Sequence, residues 1–454
     1  MDSKAFSGDL VDTEAGLVDR SIFSDQTIYE KEMAMVFEKS WLYVGHETQI
    51  PNSGDFFLSQ AGREPVVVTR DDAGDVNVLL NLCAHRGMPV CRYDKGNAKR
   101  FTCPYHGWTY SNKGELSGIP LNTEGYEGKL DRSRWGMLKA RVARYYGSIW
   151  ATFNESAPPF EDSLGDMAYW LREFMMSPDG EDDGLEVVDG ILKCEIPSNW
   201  KFGAENAAGD LYHDVSHSSV QRVGLSLTGL RGRHVWDADK RKFRLLNIAF
   251  PAGGHAVRGN LYENTDREYY SQWGANAEVD EYFREAHYAR QKRLGERARL
   301  LNRGGIVFPN FVYNAANRTS ITAWVPRAPN RTEIWKWIFV PKTAPQVVKD
   351  VMRQYLLRYT GPAGMVEQDD FENWGSAQIG ADSAVARHLP LNYQLRLGAH
   401  PKWAWPEPWL GAGALVDEGV SEHAQRVFYD RWAEMMTGKP QVFRKRGTSD
   451  HTNT

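Results

Sequence analysis

The 454-residue chain reads as an α+β protein: a small all-β module followed by a larger domain of helices packed on an antiparallel sheet. Three observations predict this. From Gly54 to about residue 153, short strand-like runs succeed one another: Asp55–Gln60, Glu64–Arg70, Val76–Asn81, Phe101–Tyr110 and Ser148–Phe153. Turn-forming Asp72-Ala73-Gly74 and Asn112-Lys113-Gly114 punctuate them. Ala157-Pro158-Pro159 then breaks the pattern and marks a boundary. Beyond it, strand-like runs alternate with longer helical periodicities, the mixture expected of an α+β domain.

The strand-like runs of the second part are Glu186–Ile196, Phe243–Phe250, Gly305–Tyr313, Ser320–Val325 and Glu333–Val340. Helical spacing covers Leu164–Met176, Val279–Arg299, Pro345–Thr360 and Ser421–Met436. An earlier helix is expected over residues 23–45, with Asp25 as N-cap before Tyr29, Met33, Met35, Val36 and Trp41. Residues 1–40 are therefore assigned as a helical segment belonging with the larger domain, 41–156 as the β module and 157–454 as the larger domain. The acidic run Pro178–Gly184 reads as a solvated loop, and the tail after Gly438 as frayed.

Composition narrows the function. Hydrophobic residues at 42% and charged residues at 25% are ordinary for a soluble globular protein. A net charge of −5 gives no basic surface for nucleic acid or an anionic membrane. Residues 1–22 lack a basic start followed by an apolar run, and no stretch of about 18 apolar residues is present. Four cysteines without a disulfide framework fit a reducing compartment, so a cytoplasmic location is expected.

Three of those four cysteines fall between Cys83 and His106. There Cys83-x-His85 and Cys103-x-x-His106 form two metal-ligand pairs, with Gly87 and Gly107 close behind to allow tight turns. Thiolate and imidazole together suit zinc or an iron–sulfur cluster. Cys-x-His on one loop and Cys-x-x-His on another is the arrangement of a Rieske [2Fe–2S] centre, in which two histidines replace two cysteines on one iron. Cys91 and Cys194 have no partner spacing and read as packed thiols.

A second polar constellation runs from Asn199 to His217. His213 and His217 are four apart, on one face if helical, with Asp210 on the same side. Two imidazoles and a carboxylate from elsewhere would make the facial triad of a non-haem Fe(II) oxygenase. The acidic run Glu367–Glu372 contains candidates for that carboxylate, and spacing leaves open which acid it is. The remaining histidines, among them His46, His234, His255, His287, His388, His400 and His423, carry no spacing signal.

Over nearly its whole length the chain resembles the large (α) subunit of Rieske-type aromatic-ring-hydroxylating dioxygenases. The resemblance lies in Ile28–Glu32, Phe37–Trp41, Gly45-His46-Glu47, Gly54-Asp55, the two ligand loops, Trp200-Lys201 and Glu205-Asn206. It continues in Gly209-Asp210-x-Tyr212-His213, Phe308-Pro309-Asn310, Trp324-x-Pro326-Arg327-x-Pro329 and Glu367-Gln368-Asp369-Asp370. It implies a Rieske domain and a helix-grip-like catalytic domain. Cys83, His85, Cys103 and His106 would hold the cluster, and His213, His217 and Asp370 a mononuclear Fe(II). Asn206 would lie near the iron, and Asp210 would join His213 to a histidine of a cluster.

One feature departs from the family. Four or five residues usually separate the two iron histidines, and here there are three; Ser218 stands where the other common spacing would put a ligand. By place in the motifs, the substrate pocket would be lined by Ala207, Val215, Thr360, Met365 and Val366, with Phe202 and Phe308 further out. The small Ala207 and Thr360 suggest room for a multi-ring substrate.

The implied activity is cis-dihydroxylation of an aromatic hydrocarbon by dioxygen. The chain has no Gly-x-Gly-x-x-Gly in a dinucleotide-binding context. Electrons from NAD(P)H are therefore expected through a separate ferredoxin or reductase, in an α3β3 or α3 assembly where one subunit's cluster serves its neighbour's iron. The competing readings are a monooxygenase or demethylase on an aromatic acid such as salicylate, a structural zinc protein, and an electron carrier.

Overall fold

The computed structural model describes residues 10–210, 212–222, 243–271, 273, 276–315, 319–399 and 415–438. His234, His400, Gly411–Gly413 and the tail after Gly438 lie outside them. The chain forms two compact units, one of Met33–Phe160 and one of Met1–Glu32 with Glu161–Thr454.

The Met33–Phe160 unit is built from three antiparallel sheets. One orders Val76–Leu80, Glu64–Arg70, Asp55–Ala61 and Lys95–Asn97; a second orders Arg141–Tyr145, Ser148–Thr152 and Leu42–His46. The third, Leu116–Gly118, Thr109–Ser111 and Arg100–Thr102, carries one ligand loop. The run expected as a single strand over 101–110 is two strands, paired Phe101↔Tyr110 and Thr102↔Thr109. Pro104, which cannot donate to a ladder, and Gly107, at φ +74°, turn the chain between them.

The expected helix over 23–45 is also shorter. Gln26–Glu32 is α-helical, and Asp25 caps it by accepting from Ile28 N at 2.9 Å. A wider π-type turn over Met33–Phe37 follows. Leu42–His46 is a fully buried strand pairing with Ser148–Thr152. Tertiary pairing of a Leu-Tyr-Val run overrides the helical spacing there.

The other unit centres on a nine-stranded antiparallel sheet. Its order is Leu185–Val187, Arg331–Pro341, Ser320–Ala328, Phe311–Asn314, Leu300–Val307, His255–Tyr262, Phe243–Phe250 and Leu415–Glu418. Leu192–Ile196 also pairs with Arg331–Pro341. Two runs expected as single strands are each divided: the first near Asp189-Gly190, with Gly190 at φ +93°, and the second at Phe308-Pro309-Asn310. The His255–Tyr262 strand was not anticipated, because its alternation is blurred by polar residues that the sheet nevertheless buries. One face of the sheet carries Met167–Met175, whose Trp170 carbonyl accepts from Asn302. The other carries the helices Trp200–Ala207, Glu367–Ala381 and His423–Thr437; Asn247 reaches the Gly209 carbonyl at 3.3 Å, and Trp324 meets Trp374 edge-on. The acidic loop is more than a solvated turn, since Asp182 pairs with Arg172, and Asp179 and Glu181 with Arg293. Among the described residues no helix is long and apolar enough to cross a membrane.

The N-terminal helix is tied to this unit by one carboxylate. Glu32 and Lys201 are both fully buried and lie 2.5 Å apart. Trp432 Nε1 donates to Glu32 Oε1 at 2.8 Å and Trp200 Nε1 to Oε2 at 3.1 Å. Removing one member of such a pair strands a buried charge. Glu32→Ala is expected to lower unfolding stability by about 3–5 kcal/mol in denaturant titrations followed by tryptophan fluorescence. A loss well under 1 kcal/mol would contradict this role for the pair.

Candidate metal centres

The two ligand loops of the Met33–Phe160 unit are built alike. Cys83 N donates to Met88 O and Gly87 N to Cys83 O; Cys103 N donates to Trp108 O and Gly107 N to Cys103 O. Gly87 and Gly107 both take a left-handed conformation, φ +73° and +74°, which lets each loop close behind its cysteine. The Nδ1 atoms of His85 and His106 stand 3.1 Å apart. Two nitrogens bonded at about 2.1 Å to one tetrahedral metal would stand about 3.4 Å apart, so both imidazoles suit one ion. The Cys83 and Cys103 thiols face each other, and Tyr110 Oη lies 3.2 Å from Cys83 Sγ. His85 is stacked on Trp108 at 5.0 Å, and the exposed Tyr105 on His106.

This grouping separates the zinc and cluster readings. In a mononuclear zinc site all four donors would lie within about 4 Å of one another. Among the described residues, only one group of three potential ligands has all its atoms within 4.8 Å, and it lies elsewhere. A histidine pair and a cysteine pair held apart suit a cluster with two irons. Cys91 and Cys194 are packed thiols, both pushed up by burial, Cys194 to about 11.

The compact group is His213, His217 and Asp370. The two histidines do not share a regular helix: Tyr212–Val215 is a 3₁₀ turn, and a new helix starts at Ser218. The tighter turn brings the rings to 5.1 Å, nearly perpendicular, despite the short spacing. His217 Nε2 lies 3.4 Å and His213 Nε2 3.8 Å from Asp370 Oδ1. Ligands about 2.1 Å from one ion at right angles stand about 3 Å apart, so the three need only close slightly on a metal.

Each imidazole is held from behind at Nδ1. His213 Nδ1 lies 2.5 Å from the Asp210 backbone carbonyl, and His217 Nδ1 3.2 Å from Asp369 Oδ2. Both bonds direct Nε2 to the centre. Asp369 was not singled out from sequence, because it looked like any other member of an acidic run. The Asp210 carboxylate is placed differently from expectation: it stands 3.9 Å from His213 Nδ1 and accepts from the Tyr212 and His213 amides, capping the 3₁₀ turn. The peptide carbonyl takes the histidine proton instead.

The electrostatics favour metal-binding forms. Burial lowers the proton affinity of His213, helped by His217 and Arg258 and opposed by Asp210, which keeps the ring neutral and able to ligate. Asp370 is pushed up to about 8 by burial, with Glu367 and Asp369 adding and Lys336 and Arg258 opposing. A carboxylate so disfavoured as an anion is stabilised by a cation at this point, and these residues therefore fit a divalent iron. Asn206 Oδ1 is buried and has no hydrogen-bond partner among the described residues.

The expected pocket residues divide. Ala207, Thr360 and Val366 are buried and Met365 half-buried. Phe202 instead stacks on Phe23 at 4.3 Å, and Phe308 packs against Phe428 at 5.2 Å, so both serve the core. Val215 is 69% exposed, on the outer side of the 3₁₀ turn. His255 is a structural histidine, kept neutral by burial at about 4, beside the Ser163 carbonyl.

Comparison with known proteins places the chain among relatives. The model for the ring hydroxylating alpha subunit (catalytic domain) matches residues 185–438, and that for the Rieske [2Fe-2S] domain residues 40–139. The chain is 35% identical to the biphenyl 2,3-dioxygenase subunit alpha of Rhodococcus jostii (strain RHA1), over 94% of this chain and 91% of that one. It is 34% identical to a benzene 1,2-dioxygenase subunit alpha of Pseudomonas putida, over 94% and 93%. Naphthalene 1,2-dioxygenase from Rhodococcus sp., solved with indole bound, matches at 29% identity and a TM-score of 0.76, over 93% and 95% of the two chains.

Two outcomes are expected. His217→Ala and Asp370→Ala should each lose the iron held outside the cluster while keeping acid-labile sulfide and the visible cluster spectrum, whereas Cys103→Ser should lose the sulfide. Unchanged total iron in His217→Ala would remove that residue from the centre. The second outcome concerns pH. Burial, with Asp210 and Glu422 adding, raises Glu205 from 4.5 to about 8, and Tyr393 Oη donates to both its oxygens at 2.9 Å. A folded-state value above the unfolded one gives stability that is complete below about pH 4.3 and is lost as pH rises through 8. Glu205→Gln should flatten this decline in melting temperature between pH 5 and 8, and an unchanged slope would contradict the assignment.

Proposed function

The chain belongs to the α subunits of the ring-hydroxylating dioxygenases, and on that premise we propose that it is the terminal oxygenase of a multicomponent system. It would add both atoms of dioxygen to adjacent carbons of an aromatic ring, giving a cis-dihydrodiol. The observation that carries this reading is the presence in one chain of a divided Cys₂/His₂ donor set and a separate His213/His217/Asp370 group. When bound, the Rieske cluster supplies electrons and the ferrous ion activates dioxygen.

In this proposal Cys83, Cys103, His85 and His106 hold the cluster, and His213, His217 and Asp370 the iron. The Asp210 carbonyl and the Asp369 carboxylate keep both Nδ1 positions engaged, so the imidazoles hold Nε2 toward the metal. Asp210 presents a carboxylate that is 32% exposed, placed to accept a hydrogen bond from a cluster histidine of a neighbouring subunit. Asn206 offers its buried oxygen to the space by the iron. Ala207, Thr360, Met365 and Val366 would border an apolar ring pocket, their small or flexible side chains leaving room for more than one ring. Relatives named for biphenyl and benzene support an aromatic ring as the group held there.

Electrons would come from NAD(P)H through a ferredoxin or reductase in the cytoplasm. The relatives' designation as alpha subunits supports a β partner, in an α3β3 or otherwise α3 assembly. In the division proposed, the electron-accepting domain, expected over 41–156, takes in the Met33–Phe160 unit, and of residues 1–40 only Met1–Glu32 belongs with the larger domain.

Turnover under ¹⁸O₂ tests the reading. Two labelled atoms in one diol product are expected; a single labelled atom, with the other in water, would make the protein a monooxygenase. Asp210→Ala should keep both metal centres and lose nearly all turnover, and full activity in that metal-replete variant would end its bridging role.

A further inference from the structure

We propose, on the reading of His213, His217 and Asp370 as the iron site, that Lys336 is a positioning residue for that centre. Its ammonium fixes the first turn of the helix carrying Asp369 and Asp370, and so sets how tightly the site holds a ferrous ion.

The sequence puts Lys336 where a lysine is costly. It lies in the strand Arg331–Pro341 between the buried Trp335 and Trp337, and is itself only 4% exposed. Lysine is almost never so buried unless paired. Register gives its direction. Lys336 stands opposite Thr322, and Thr322 shares a face of the sheet with Trp324, two residues along. Trp324 meets Trp374 of the Glu367–Ala381 helix, so Lys336 rises from the face that carries that helix. There its Nζ donates to the Thr360 carbonyl at 2.7 Å and to Glu367 Oε1 at 2.6 Å.

These partners are the last residue of one helix, Gln346–Thr360, and the first residue of the next. The last three carbonyls of Gln346–Thr360 are satisfied: Arg358 accepts from Met365 N at 3.0 Å, Tyr359 from Val366 N at 3.1 Å, and Thr360 from Lys336. The following helix starts with less support of its own. Its N-cap position is Val366, whose side chain makes no capping bond, and the Asp370 amide reaches the Val366 carbonyl only at 3.4 Å. Three carboxylates, Glu367, Asp369 and Asp370, share this first turn, and like charges one turn apart repel. Lys336 anchors the turn from the sheet. Glu367 and Asp370 are three residues apart and so lie on one side of the helix. Pinning the first therefore fixes the direction of the second, and with it the Asp369 carboxylate against His217 Nδ1.

The test measures Fe(II) dissociation constants by anaerobic chelator competition, on protein whose sulfide content shows an intact cluster. Lys336→Met alone leaves Glu367 buried without its cation and is expected to lose stability as well. Lys336→Met/Glu367→Gln removes both charges, so its melting temperature should stay near that of wild type. Its Fe(II) dissociation constant should nevertheless rise about tenfold or more, the loss typical when a group that orients metal ligands is removed. The near-infrared magnetic circular dichroism bands of the ferrous ion should shift as well. A wild-type dissociation constant and unshifted bands in this double variant would overturn the inference. So would an equal rise in Glu32→Gln/Lys201→Met, which neutralises another buried pair of this unit, because iron affinity would then follow general stability. A wild type that binds no Fe(II) beyond its cluster would instead strike the iron reading itself.

Discussion

Everything functional in the larger unit depends on one constraint: a buried carboxylate, Asp370, is set against two imidazoles whose outer nitrogens are already engaged. Burial and the neighbouring Glu367 and Asp369 push Asp370 up to about 8. Burial holds His213 neutral, and each Nδ1 is committed, His213 to the Asp210 carbonyl and His217 to Asp369, so both Nε2 atoms are left facing the carboxylate. A divalent cation resolves the arrangement, turning the carboxylate's cost into attraction. The surrounding scaffold serves this point. Lys336, on the central sheet, holds Glu367 at 2.6 Å and the Thr360 carbonyl at 2.7 Å, fixing the helix that delivers both aspartates.

The ligand loops show a complementary use of backbone. Two hairpins with the same hydrogen-bond pattern and the same glycine conformation present one cysteine and one histidine each. Likeness of the loops gathers histidines with histidines and cysteines with cysteines, which is the division a two-iron cluster requires and one zinc ion does not.

Much of this was legible in the sequence, and the failures have local causes. Metal-ligand spacing is a short-range signal, so Cys83, His85, Cys103, His106 and His213 stand out without any structure. His217 was legible only as the nearest histidine; the 3₁₀ turn that makes its short spacing workable depends on Asp210 capping the Tyr212 and His213 amides. Asp369 was hidden because an acidic run looks the same whether its members face solvent or an imidazole. Phe202 and Phe308 were assigned to the pocket by motif position, yet tertiary partners far along the chain, Phe23 and Phe428, take up their rings. Strand ends were misread where a glycine or a proline interrupts an otherwise continuous apolar run, as at Asp189-Gly190 and Pro104.

The most direct test of the metal centre is an anomalous-scattering map at the iron absorption edge from crystals of the iron-loaded protein. A single iron peak is expected, bounded by His213 Nε2, His217 Nε2 and the Asp370 carboxylate, with Asp369 still on His217 Nδ1. Cluster density should lie between the Cys83/Cys103 pair and the His85/His106 pair. An iron ligated by His213 and Asp370 with His217 turned away would contradict it, as would one compact peak shared by all four cysteine and histidine donors.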